Sequence, residues 1–171
     1  MSKKIVQGDL LYHSVHGLCR VKEIIEQGQS NKKALYYSLV PKLNTQMKVR
    51  FVIAVDDIEI SGFHLLVSLK EANEILEYLK TDEADPSDFD QDNQTWALAK
   101  SILSFSHDKS EARDQRKRQI LERSANGLVR ELAFVLEIPV KESAAKVRKS
   151  LQRTSKINPL VLTALEHAGE D

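Results

Sequence analysis

Little in this chain of 171 residues could serve the common catalytic chemistries. There is one cysteine, Cys19, so no internal disulfide can form, and an unpaired thiol fits a reducing cytoplasm. Six glycines stand apart from one another, which excludes a glycine-rich phosphate cradle and with it any ATPase motif. His64, His107 and His167 have no Cys, Asp or Glu at ligand spacing. On strands, His13 and His16 would project to opposite faces, which argues against shared metal ligation. No apolar run approaches the roughly 20 residues that cross a bilayer, and the N-terminus lacks a signal-peptide core. The expectation is therefore no enzyme, no catalytic residue, no metal, no cofactor, no small-molecule substrate and no membrane. Asp56-Asp57-x-Glu59 reads as a loop between strands rather than an acidic dyad, and Cys19 as a small side chain filling a half-buried strand position.

What the chain does have is charge, 29% of its residues, sorted along its length beneath a formal net charge of zero. Residues 1–70 carry ten Lys/Arg against six Asp/Glu, and residues 71–110 carry three against ten. Residues 111–153 return to eleven against six. An acidic middle between basic halves suits a chain that meets different partners with different parts; three solvated surfaces of differing sign are the plainer alternative.

The hydrophobic pattern changes period near residue 69. Before it, short strand-like runs alternate with turn signals. Gly8-Asp9 precedes Leu10-Leu11-Tyr12, and His16-Gly17 precedes a run from Leu18 to Ile25. A polar loop at 28–33 leads to Leu35–Val40, stopped by Pro41. Met47–Val52 alternates so that Lys48 and Arg50 oppose Met47, Val49 and Phe51, and a last run surrounds Ile58 and Ile60. So many short strands in so little chain predict a small antiparallel β-barrel of Tudor or SH3 type over residues 1–69.

Residues 70–171 read as an all-α bundle, making the whole an α+β chain of two domains. Ser68-Leu69-Lys70-Glu71 is a capping box, opening a stripe of Leu69, Ala72, Ile75, Leu76 and Leu79. The acidic stretch near 82–92 is too polar and broken to pack and reads as a surface loop. Helices are expected from Thr95 to Phe105, from Glu111 to Glu137, after Pro139 along Val140, Ala144, Val147 and Leu151, and after Asn158-Pro159. Arg113, Arg116, Lys117, Arg118 and Arg123 crowd the start of the longest, a face suited either to nucleic-acid phosphates or simply to water. Trp96, the only tryptophan, falls at helical spacing with Ala99 and Leu103, as a core anchor would.

The stretch Gly8–Val21, in the order Gly-Asp, apolar run, His13, His16-Gly17, apolar, small, Arg, apolar, resembles the opening of the CarD family of transcription regulators. It is similar also to the RNA-polymerase-interaction module of transcription-repair coupling factors. Lys48–Val52 is similar to the family strand that carries an arginine between valines, with Val52 where proline is usual. Ser61–His64 stands where the family has Gly-apolar-Arg. Arg118–Ala125 and Leu128–Ala133 resemble its Arg-x-x-Leu-x-x-Ala and Leu-Val-x-Glu-Leu-Ala helix.

The resemblance implies a cytoplasmic, nucleoid-associated monomer whose barrel binds the β subunit of bacterial RNA polymerase through Arg50, helped by Arg20. It implies sequence-independent contact of the helical half with upstream promoter DNA, modulating open-complex stability. Trp96 would be a minor-groove wedge followed by Lys100, with Arg113, Arg116, Lys117, Arg118 and Arg123 on phosphates. An adaptor that touches no DNA is the competing expectation.

Overall fold

The computed structural model describes residues 3–29, 31–42, 48–81, 94–108, 114–152 and 157–170. The chain is α+β and divides into two compact units, Met1–Leu66 and Val67–Asp171. The expected acidic loop near 82–92 and Arg113 lie outside the described residues.

The first unit is an antiparallel sheet of β1 (Leu10–His13), β2 (Gly17–Gln27), β3 (Ala34–Pro41), β4 (Phe51–Ala54) and β5 (His64–Leu65). A 3-10 turn, Val55–Asp57, follows β4. The strand order is β4-β3-β2-β1-β5. Among the described residues β4 and β5 do not pair, so the sheet is open where a closed or nearly closed barrel was expected. Leu11 opposite Cys19 and Val21 opposite Leu39 set the inward register. They join Ile5, Tyr37 and Phe63 in a core on which Phe51, Ile53, Val55, Ile58 and Leu65 also pack. Between Val21 and Glu23 the register shifts. That bulge lets Glu23 face outward two residues after an inward Val21.

Two strand expectations are corrected. The run around Ile58 and Ile60 is turn, not strand, and Ile60 is 85% exposed. With no ladder partner, its β-branched chains are not enough to make a strand. The fourth strand begins only at Phe51, so Lys48, Val49 and Arg50 form an exposed lead-in to it.

The second unit holds α1 (Leu69–Tyr78), α2 (Gln94–His107), α3 (Gln115–Leu136), α4 (Val140–Leu151) and α5 (Pro159–Ala168). Local signals set the ends. Ser68 and Glu71 form the reciprocal capping box, Asp114 caps α3 through the Arg116 amide, and Asn158 caps α5 with Pro159 next. Leu69 leaves the expected stripe, at 58% exposed. As the first helical residue it sits beside its capping serine rather than over the core. Helix α3 is the axis of the unit, packing against the other four helices. Its 22 residues make it about 33 Å long. Leu121, Ala125, Leu128, Val129 and Leu132 form its buried side. No helix among the described residues is long and apolar enough to cross a membrane.

Candidate functional site

Three places gather the polar residues that the sequence singles out: a strand edge, a basic helix and a ring cluster. In the sheet, paired residues share a face. Arg20 is opposite Val40, and Glu23 and Val52 are both opposite Ser38. These residues point away from the core formed by Leu11, Val21 and Leu39. Arg50, two residues before the outward Val52, continues that side and reaches Glu23 at 3.8 Å. Both partners are about half exposed, 45% and 48%, so the ion pair costs little to open. The structure thus brings Arg20 and Arg50 to the outer face, with β4 at the sheet edge. Val52 is 46% exposed on that edge.

The second place is the N-terminal part of α3. Every residue from Asp114 to Ile120 is exposed, and burial begins only at Leu121. Arg116, Lys117 and Arg118 therefore sit on turns that the other described helices leave uncovered, and Arg123 follows on an exposed position. Sequence reasoning passed over Arg130. It is exposed, its Nε donates to Asn126 Oδ1 at 2.8 Å, and it is seven residues beyond Arg123, as Arg123 is beyond Arg116. Two turns separate successive members, so the three lie nearly in line over about 21 Å. The heptad spacing is visible in the sequence. The exposure of all three is not.

Trp96 is not part of that surface. It is 3% exposed, on α2, with its ring edge-to-face on Tyr78 of α1, centroids 5.6 Å apart at 72°. The core-anchor alternative describes it, and the expected minor-groove wedge has no exposed ring to insert. Just before it, Thr95 Oγ1 lies 2.9 and 2.8 Å from the two carboxylate oxygens of Glu131, which is fully buried on α3. The contact spans 36 positions and ties α2 to α3 in the layer of Trp96. Lys100 is half-buried on α2.

The third place is the tip of the β1–β2 hairpin. His13 and His16 do not diverge, because Ser14–His16 form a loop closed by Gly17 in a left-handed conformation, φ 71°. The loop folds the two imidazoles together, centroids 4.5 Å apart. His13 packs on Phe63 at 4.7 Å, and His16 on Phe51 at 4.6 Å. His13 Nδ1 accepts hydrogen bonds from the Val15 and His16 amides, 3.0 and 3.2 Å. Burial, then the neighbouring His16, pulls the His13 pKa below the ordinary histidine value.

Cys19 is fully buried, and burial pushes its thiol pKa up, which keeps it protonated and a poor nucleophile. Among the described residues, no group of three or more His, Cys, Asp or Glu side chains is arranged to hold a metal ion. No protein-family model matches the chain, and neither does any curated protein.

Proposed function

We propose that this chain is a CarD-type transcription regulator. Its sheet unit, a Tudor-like module left open at β4, docks on the β subunit of bacterial RNA polymerase. Its helical unit touches upstream promoter DNA without reading sequence. The observation that carries the docking is Arg50, exposed just before an edge strand and loosely held by Glu23. An edge offers backbone donors and acceptors for strand addition, and outward arginines steer it toward an acidic lobe. Retention of polymerase from a bacterial lysate tests this: the wild-type chain retains it and Arg50→Glu does not. A wild-type chain that retains none ends the proposal.

The DNA contact rests on Arg116, Lys117, Arg123 and Arg130, with Arg118 beside them, rather than on Trp96. Four phosphate contacts predict a slope of log K on log salt near about −3.6, so raising salt from 50 to 200 mM weakens binding about a hundredfold. Contacts that weak suffice once docking tethers the helices at an effective concentration in the millimolar range. Charge reversal at Arg116 and Lys117 shortens or lengthens the open-complex lifetime toward that of polymerase alone while leaving polymerase retention intact. An unchanged lifetime in that double variant favours the second reading, an adaptor that touches no DNA and keeps its basic helix face solvated.

A further inference from the structure

We infer that His13 is a protonation switch that holds the tip of the β1–β2 hairpin closed when neutral and releases it when charged. The hydrogen bonds make this directional. Nδ1 accepts from both the Val15 and the His16 amide, so neutral His13 carries its proton on Nε2. A proton on Nδ1 would face two N–H donors and abolish both bonds at once.

The other side of the ring cannot relieve the conflict by sliding away. Gly62 sits against it so closely that a Cβ there would lie 2.7 Å from Nε2 and 2.9 Å from Cδ2. Gly62 has φ 86°, so the loop before β5 keeps glycine on both steric and backbone grounds.

The groups acting on His13 come from every element packed around it. His16, on the same hairpin, and His64, on β5, both oppose its protonation. The Ser61 carbonyl, beside Gly62, favours it. Phe63 covers one face of the ring, and no carboxylate is among the groups acting on it. Two imidazoles 4.5 Å apart repel once both are charged, which adds to the drive to open. Besides these bonds the tip is held by the His16 ring against Phe51 and Phe63, while Val15 is 70% exposed and His16 is also exposed.

Opening carries His16 away from Phe51, the first residue of β4, which directly follows Arg50. Acid therefore loosens the strand edge on which polymerase docking is proposed. That consequence rests on the docking reading; the hairpin transition does not.

Nuclear magnetic resonance on the full chain tests the switch without polymerase, so either idea can fail alone. Long-range imidazole spectra should show His13 protonated on Nε2 at neutral pH. Corrected for intrinsic exchange, the Val15 and His16 amides should lose protection at least tenfold as His13 charges, with the same midpoint. His13→Asn places a non-titrating oxygen where Nδ1 sits, so both amides should stay protected across the range. His16→Gln removes a charge that opposes protonation, so the His13 midpoint should rise. A proton on Nδ1 at neutral pH, titration of His13 with the two amides undisturbed, or a transition that persists in His13→Asn would each overturn the inference.

Discussion

Replacing Trp96 with alanine separates a core anchor from a DNA-contacting ring by the size of its effect on folding. The indole is 3% exposed and meets Tyr78 edge-to-face. Truncating a buried tryptophan to alanine costs about 3–5 kcal/mol. The lost aromatic pairing accounts for about 0.5–1.5 kcal/mol of that. Against a domain stability of about 5–15 kcal/mol, this is a large fraction. At roughly 4–8 °C per kcal/mol for a domain of this size, Tm should fall by about 12–40 °C. The assay is thermal and urea unfolding followed by far-ultraviolet circular dichroism, which reports the helices. Trp96→Phe keeps a ring against Tyr78 and should lose less than half as much. A double-mutant cycle with Tyr78→Leu should return a coupling of about 0.5–1.5 kcal/mol. Because the anchor reading leaves the ring away from DNA, Trp96→Phe should leave the proposed salt-sensitive DNA binding unchanged. A loss below about 1 kcal/mol in Trp96→Ala would refute the packing argument and return the wedge to consideration.

Thr95→Val removes a hydroxyl that donates to the buried Glu131 side chain and should cost about 1–3 kcal/mol in urea unfolding, the penalty for taking a hydrogen-bond partner from a buried polar group. Gly62→Ala meets His13 at 2.7 Å while held at φ 86°, so the sheet unit should lose at least about 1–3 kcal/mol of strain-related stability in the same measurement. Ser68→Ala breaks the capping box of α1 and should cost about 1 kcal/mol, visible as a lowered Tm. Because the folded chain lowers the His13 pKa, the stability due to neutral His13 is complete above the ordinary histidine value of about 6.5 and declines as pH falls through the lowered one. Denaturant titrations of His13→Asn across that window should be flatter than those of the wild type.

Signals carried by neighbouring residues are legible in the amino-acid sequence alone. The hairpin between Leu10 and Val21, the strand ended by Pro41, the capping box at Ser68 and the Asn158-Pro159 start all act over a few positions, and the folded chain uses each one. The helical stripes of α3 and α4 are equally plain, because amphipathic burial repeats every three or four residues. Tertiary structure decided what those signals leave open. Trp96 fits the same helical spacing whether it faces a core or a groove, and only the assembled helical core, with Tyr78 of α1 edge-to-face on the ring, buries it. Thr95 and Glu131 are ordinary helix residues until folding brings them together across 36 positions in a buried layer. His13 and His16 diverge on an ideal strand, yet a left-handed Gly17 turns the chain and brings their rings together at a tilt of 35°. The run at Ile58–Ile60 has the composition of a strand, but its backbone is taken up in turn hydrogen bonds, from the Ile60 amide to the Asp57 carbonyl and from the Ser61 amide to the Ile58 carbonyl. Local sequence biases dihedral angles and caps, so it determined where elements start and which of their sides is apolar. Whether a side is covered, an edge paired or a charge buried depends on residues far away in the chain, and that only the assembled fold supplied.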